Sequence, residues 1–306
     1  MQGALKVELY MSDQQSLYSH PKNFAGLPEP FSGFDFAKVA ILPVPYDSTT
    51  EWHSGSRNGP KSIIESSYYL EWYDIELKKE IYQVGIHTMP ELEPAYNSPQ
   101  TMTERVYQAA ASLLQKSKFV VTLGGEHSIS LGAIRAHVEK YPGCSVLQLD
   151  AHTDLRDEYL GTKYGHACVM RRTEELCPIT QVGIRAISLE ETEHVKATGL
   201  KPFFYEQGNA PLPIEEIIQT LPDYVYVSID LDVFDPSIMS AVGTPEPGGI
   251  LWNQALSLLS SVAKKRKILG FDIVELCPDQ GPSACSFLAA KLAYKLIGYI
   301  FNEEEH

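Results

Sequence analysis

Short apolar runs alternate along the chain with longer segments in which apolar residues recur every three or four positions. The short runs predict six strands, at residues 39–44, 119–123, 145–149, 180–183, 224–229 and 268–271. The periodic segments predict helices at 131–141, 251–262 and 283–301. Because the strand runs are almost continuously apolar, we expect an α/β fold, with a mostly parallel sheet and helices on both of its faces.

No internal repeat, long linker or block of charge divides the 306 residues. A single domain over residues 1–306 is therefore expected, since α/β domains often have this length. Residues 1–36 form the least patterned stretch and are expected to be an N-terminal arm or an extension of the sheet edge.

Composition narrows the class of partner. The chain has 39 Asp and Glu against 25 Lys and Arg, a net charge of −14, and we expect no nucleic-acid partner because no clustered basic face is present. A cationic substrate or a metal is favoured instead. Five cysteines without a C-x-x-C pair indicate neither a disulfide framework nor a zinc ribbon. No run has the length of a membrane span and the first residues do not resemble a signal peptide, so a soluble, cytoplasmic protein without a membrane partner is expected.

Three of the predicted strands end in polar clusters. G-G-E-H-S stands at 124–128, D-A-H-T-D at 150–154 and D-L-D at 230–232. Ligands of open α/β sheets bind at the carboxyl ends of the strands, so these clusters are expected to share one crevice. A single Asp there could simply cap a helix and a single His could be an ordinary loop residue, but three clusters together favour a site.

The acids in these clusters are regularly spaced. Asp150, His152 and Asp154 lie two residues apart, and Asp230 and Asp232 repeat this spacing. In an extended chain such side chains leave the same face, roughly 6 to 7 Å apart. Several carboxylates in one crevice repel one another unless a cation compensates for their charge. Oxygen and imidazole ligands without thiolate suit manganese or a similar divalent ion, and the number of acids suggests two ions that share bridging carboxylates.

These strings resemble the ureohydrolase family, which includes arginase, agmatinase and formiminoglutamase. Two further strings match the family, G-T-P-x-x-G-G at 243–249 and D-x-x-E at 272–275. The resemblance extends from about Val39 to the last predicted helix. It implies the three-layer arginase-like fold, with helices on both faces of the sheet.

The resemblance also implies two Mn²⁺ ions per subunit. One ion would be held by His127, Asp150, Asp154 and Asp232. The other would be held by Asp150, His152, Asp230 and Asp232, which makes Asp150 and Asp232 the bridges. Together the ions would lower the pKa of a shared water and supply hydroxide near neutral pH.

Three residues have catalytic roles by the same resemblance. Asp154, besides binding metal, would accept a hydrogen bond from the hydroxide. Glu275 would pair with the substrate guanidinium, whose planar edge suits a carboxylate, and His166 would shuttle a proton to the departing amine. Glu126 is a departure, since it stands where much of the family has Asp.

The loop at 155–164 differs from the Asn- and Thr-rich loop of arginases and resembles the agmatinase loop. We therefore expect hydrolysis of agmatine to putrescine and urea, with Asp157 or Glu158 as candidate partners of the distal ammonium. Aminopropylagmatine, guanidinobutyrate and arginine are alternative substrates. A catalytically silent metal-binding protein and a deacetylase-like single-zinc enzyme are alternatives of other classes. The resemblance also implies a homo-oligomer, either a trimer or a hexamer.

Overall fold

The computed structural model describes residues 21–205 and 211–302. In this part of the chain, ten strands and eight α-helices follow one another. The strands are β1 Val39–Val44, β2 Tyr73–Asp74, β3 Lys79–Glu80, β4 Ile86–Thr88, β5 Phe119–Gly124, β6 Ser145–Leu149, β7 Ile179–Ile184, β8 Phe203–Phe204, β9 Tyr224–Asp230 and β10 Lys267–Val274. The helices are α1 Gly59–Ser67, α2 Pro99–Gln115, α3 Ser130–Lys140, α4 Val169–Thr173, α5 Leu189–Thr198, α6 Ile214–Thr220, α7 Trp252–Lys265 and α8 Ser283–Ile300.

Eight of the strands form one sheet in the order β4-β1-β5-β10-β9-β6-β7-β8, and each neighbouring pair in it is parallel. β2 and β3 form a separate antiparallel pair. All six predicted strands are present, and the parallel sheet is confirmed. The sequence analysis does not predict β4 and β8, because strands of three and two residues carry too little pattern.

Alternate residues of the central strands face two separate apolar clusters. In β1, Val39 and Ile41 belong to one cluster, whereas Ala40 and Leu42 belong to the other. Helices α1, α6, α7 and α8 contribute to the first cluster, and α2, α3 and α4 contribute to the second. The sheet is therefore covered on both faces, which confirms the three-layer arrangement.

The three predicted helices are present as α3, α7 and α8, with ends within three residues of the predicted ones. The sequence pattern does not predict the other five helices, α1, α2, α4, α5 and α6, although α2 and α5 carry clear start signals. Ser98 caps α2 by accepting a hydrogen bond from the Thr101 N–H, and Ser188 and Glu191 form a capping box at the start of α5. None of the described helices is both long and apolar enough to cross a bilayer.

Part of the expected N-terminal arm, residues 1–20, lies outside the described residues. Residues 21–36 run along the β4 edge of the sheet. The Phe24 N–H donates to the Thr88 hydroxyl at 2.8 Å, and the Ile86 N–H donates to the Phe31 carbonyl at 2.8 Å. The Phe24 side chain is fully buried against the first apolar cluster. The described part of this stretch thus packs along the β4 edge without forming a strand.

Candidate metal centre and active site

Four neighbouring strands in the middle of the sheet, β5, β10, β9 and β6, end at one edge. The loop after β5 turns sharply there, because the Gly125 N–H donates to the Val44 carbonyl and the Glu126 N–H to the Tyr46 carbonyl, at 3.0 and 2.8 Å. A Cβ atom at Gly125 would lie 1.9 Å from the Tyr46 carbonyl oxygen, so only glycine fits. This turn places His127 at the carboxyl edge of the sheet, just before α3.

Three carboxylates surround the His127 imidazole. Its Nδ1 lies 3.0 Å from Oδ2 of Asp150 and 3.0 Å from Oδ2 of Asp154. Oδ2 of Asp230 is 3.4 Å away from the same nitrogen. All four side chains are buried. The loops after β5, β6 and β9 therefore converge on one point, as the sequence predicts.

The other nitrogen of this ring shows which tautomer is present. Ser228 Oγ donates its single hydrogen to Asp272 Oδ1 at 2.8 Å, so it can only accept from His127 Nε2, which lies 2.9 Å away. In the neutral ring the lone pair is thus on Nδ1, which is buried and faces the three carboxylates. Such an arrangement requires a proton or a metal cation between the nitrogen and the carboxylates, and this donor set fits a divalent metal ion.

A second group of ligands lies beside the first. His152 Nδ1 is 2.8 Å from Oδ2 of Asp232 and 3.7 Å from Oδ1 of Asp150. Asp150 belongs to both groups, since its two oxygens face different histidines, and this agrees with its expected bridging position. The structure thus contains two adjacent groups that could each hold a metal ion.

The structure corrects the expected distribution of the last two acids. The sequence analysis places Asp232 in the His127 group and Asp230 in the second group only. In the structure Asp230 lies beside His127, and Asp232 contacts His152 and the N–H of Ala151. The reason is that β9 ends at Asp230 and the chain then enters a 3-10 turn, in which the Asp232 N–H donates to Asp230 Oδ1 at 2.9 Å.

The loop after β6 is also not extended as the spacing argument assumes. Asp154 has a φ of 53°, in the left-handed region, and Glu275 has a φ of 66°. Such backbone conformations cost on the order of 1–3 kcal/mol for residues other than glycine and cluster at functional sites. Both residues are among the three with predicted catalytic roles, and both line the same cavity.

The cluster is electrostatically strained without a cation. Burial, together with the charge of Asp150, raises the pKa of Asp154 to about 7. Burial and the neighbouring acids Asp232 and Asp150 raise the pKa of Asp230 well above its ordinary value. Burial alone would lower the pKa of His127, but the three surrounding carboxylates raise it well above its usual range. Protons therefore occupy the cluster when metal is absent, and metal binding must displace them.

A cavity of about 300 Å³ opens above this cluster. Its floor contains His127, His152, Asp154, Asp230, Asp232 and Glu275. His166 lines the wall, and burial lowers its pKa, which favours the neutral imidazole. Glu275 Oε1 accepts a hydrogen bond from the His127 N–H at 2.6 Å. Burial, followed by the charge of Glu126, raises the pKa of Glu275 well above its ordinary value, so a cationic ligand beside it would relieve the buried charge.

A model of the Arginase family matches residues 37–298. The chain belongs to the arginase family. It is a ureohydrolase of that family, similar to an N(1)-aminopropylagmatine ureohydrolase of Synechocystis sp. at 37% identity over 94% of this chain and 97% of that protein. An agmatinase of Pyrococcus horikoshii is 31% identical over 86% of this chain and 92% of its own length. The solved structure of an agmatine ureohydrolase of Thermoplasma volcanium matches with a TM-score of 0.82 and 31% identity, over 95% of this chain and 98% of that one.

Arg185, which has no predicted role, helps to shape the site of this arginase-family ureohydrolase. Arg185 follows β7, and its guanidinium donates to the carbonyls of Asp232 at 2.6 Å and Glu246 at 2.8 Å. It therefore ties the turn after β9, which carries Asp232, to the loop at the cavity entrance. Burial lowers the pKa of Arg185. Arg185 could have been found by the sequence feature that identified the acids, which is a charged residue directly after a strand.

The rim of the cavity is formed by Glu51, Trp52, Tyr159 and Glu246. Asp157 and Glu158, the acids expected as candidate partners of the distal ammonium, do not line the cavity. Asp157 pairs with Arg172 at 2.6 Å and with Lys163 at 3.0 Å, and these cations lower its pKa to about 2. The acids that face the entrance are Glu51 and Glu246.

Proposed function

We propose that this ureohydrolase acts on N(1)-aminopropylagmatine and that agmatine is the second candidate substrate. The observation that carries the proposal is that one cavity joins two ligand groups, the partly buried carboxylate of Glu275 and an acidic rim. The relative from Synechocystis supports the first substrate, since it is matched over nearly its full length. The relative from Pyrococcus horikoshii and the structure from Thermoplasma volcanium support the second, which is also the substrate expected from the sequence.

Two divalent ions would bind at the floor, and we propose Mn²⁺ because the ligands are imidazole nitrogen and carboxylate oxygen. The residues that would hold them are His127, Asp150, His152, Asp154, Asp230 and Asp232. Bound there, the ions would supply a water molecule of lowered pKa next to the substrate. The remaining chemistry belongs to the side chains of the cavity wall.

Glu275 would orient the guanidinium, because a partly buried carboxylate beside a planar cation accepts two of its N–H groups. Asp154 would accept a hydrogen bond from the attacking oxygen. His166, with its lowered pKa, would take a proton from that oxygen and donate it to the amine nitrogen that leaves. The overall reaction adds one water to the guanidinium and releases urea and the protonated amine.

The rim acids would distinguish polyamine tails from carboxylate tails. Among the residues that the structure describes, the nearest cationic partner of Glu246 is His152, whose Nε2 is 3.9 Å from Oε1 of Glu246. Glu51 accepts a hydrogen bond from the Tyr159 hydroxyl. A second ammonium on the substrate would meet these carboxylates, whereas the carboxylate of arginine or guanidinobutyrate would be repelled.

A substrate panel with metal analysis on the same preparation tests the proposal. With Mn²⁺ added, we expect kcat/KM to be highest for aminopropylagmatine, lower for agmatine, and lowest for arginine and guanidinobutyrate. Glu246→Gln should raise KM for the two polyamines up to about fivefold, since a partly exposed ion pair contributes up to about 1 kcal/mol. Glu158→Gln is the matched control, an exposed acid of the same neighbourhood that does not line the cavity.

Other outcomes of the substrate panel would contradict the proposed function. A clear preference for arginine or guanidinobutyrate would overturn both candidate substrates, and a preference for agmatine would leave the second. Equal KM changes in the Glu246 and Glu158 variants would show that the rim does not recognise the tail. The trimeric or hexameric assembly, the single domain and the cytoplasmic location stay predictions.

A further inference from the structure

Glu126 holds Thr49, a residue of the loop that follows β1, in place. Its Oε2 accepts from the Thr49 N–H at 2.6 Å, and its Oε1 accepts from the Thr49 hydroxyl at 2.7 Å. A third hydrogen bond comes from the Ser128 hydroxyl to Oε1. Burial raises the pKa of Glu126, and these three hydrogen bonds oppose that shift. Glu126 does not line the cavity, so it acts on the site only through the residues that it holds.

The Thr49 hydroxyl in turn contacts the candidate proton shuttle. Its oxygen lies 3.0 Å from the backbone N–H of His166 and 3.1 Å from His166 Nδ1. A hydroxyl has one hydrogen and two acceptor positions. The hydrogen goes to Glu126, so the oxygen must accept from both groups of His166. Nδ1 therefore carries the ring hydrogen, and Nε2 is the nitrogen that can accept a proton.

We propose that Glu126 and Thr49 are positioning residues that fix the tautomer and ring orientation of His166 for proton transfer. This inference rests on the proposed role of His166 in the ureohydrolase reaction. The arrangement is a carboxylate, a hydroxyl and an imidazole in series, in which the first two members keep the third in its productive form.

His166 Nε2 first accepts a proton from the water and then donates it to the leaving nitrogen. As the water oxygen bonds to the guanidinium carbon, one water proton moves to His166 Nε2. The bond between the carbon and the substituted nitrogen then breaks, its electron pair stays on that nitrogen, and the proton passes from Nε2 to it. The second water proton, which is still on the oxygen bound to the carbon, then moves to the released amine. The products are urea and the protonated amine, with no change in total charge. With the hydrogen on Nε2 instead, the imidazole could not accept the first proton.

The test compares Thr49→Val with Thr49→Ser in the metal-loaded full-length enzyme. Valine keeps the shape and the backbone N–H to Glu126 but removes the hydroxyl, whereas serine restores it. A positioned general acid or base contributes on the order of 10²–10⁴-fold, so losing its orientation should lower kcat about 10- to 100-fold. KM and metal content should stay near the wild-type values in both variants, and serine should recover most of the lost kcat.

A His166→Asn variant distinguishes a failure of the proposed role of His166 from a failure of the positioning inference. If His166→Asn keeps wild-type kcat, the proposed role of His166 is wrong. If His166→Asn loses activity while Thr49→Val and Thr49→Ser have equal, near-wild-type kcat, the role of His166 stands and the positioning inference is overturned. A raised KM or lost metal in Thr49→Val would likewise contradict it.

The tautomer can be measured in the wild-type protein itself. In ¹⁵N-histidine-labelled, chelated wild-type protein, with His166 assigned from His166→Asn, we expect the ¹⁵N shifts of a protonated Nδ1 and an unprotonated Nε2. Observation of the opposite tautomer, with hydrogen on Nε2, would overturn the inference directly.

Discussion

Replacing Ser228 with alanine tests whether the Ser228 hydroxyl fixes the tautomer and orientation of the His127 ring. The Ser228 hydroxyl lies between His127 Nε2, at 2.9 Å, and Asp272 Oδ1, at 2.8 Å, and all three side chains are buried. Alanine leaves the His127 N–H and one Asp272 oxygen without this partner. An unsatisfied buried polar group costs about 1–3 kcal/mol. Loss of an outer hydrogen bond to a metal-binding histidine lowers metal affinity about 10- to 100-fold, or roughly 1.4–2.7 kcal/mol.

The assay is calorimetric titration of Mn²⁺ into chelated protein, with urea unfolding of the same samples. Ser145→Ala is the matched control, because Ser145 is also a buried strand serine but its hydroxyl has no hydrogen-bond partner. We expect that control to change neither metal affinity nor stability appreciably. If Ser228→Ala binds Mn²⁺ as tightly as wild type, or if Ser145→Ala loses as much affinity, the tautomer reasoning for His127 is refuted.

Three further predictions concern the same cluster. Asp150→Asn should lower the metal content measured by mass spectrometry from two ions to one or none, because Asp150 belongs to both groups; two retained ions would contradict this. Gly125→Ala should abolish activity and lower Tm, since its Cβ would overlap the Tyr46 carbonyl oxygen, and an unchanged Tm would argue against the turn. The pKa values of Asp154 and Asp230 are raised, so the metal-free folded protein binds more protons than the unfolded chain between about pH 4 and 7. The stability of the metal-free protein therefore falls as pH rises through 7. The drop in Tm on chelation should therefore be larger at pH 8 than at pH 6, and the reverse order would exclude this linkage.

The sequence predicts the middle of the fold better than its edges. Strands such as β5 and β9 are long, apolar and buried on both faces, so their pattern alone identifies them. β8 has two residues and is defined only by its partner β7, which no local pattern reveals. The polar clusters after β5, β6 and β9 predict the metal centre because parallel strands end at one edge.

The finer geometry of the site depends on turns that spacing does not encode. The exchange of Asp230 and Asp232 follows from the 3-10 turn after β9, and the convergence of Asp154 depends on its left-handed backbone. Thr49 could not be assigned a role from sequence, because its contact with His166 joins residues 117 positions apart. Pairwise contacts of this kind appear only once the loops are folded.

The floor and the rim of the cavity come from different loops, and this separation has a consequence for engineering. The floor is built on four rigid central strands, whereas Glu51 and Glu246 stand on segments that contribute no ligand. Exchanging the rim segments should therefore retarget the enzyme to guanidino compounds with other tails while the hydrolytic apparatus is left untouched. Arg185, which links the two layers, is the residue that such grafts must keep.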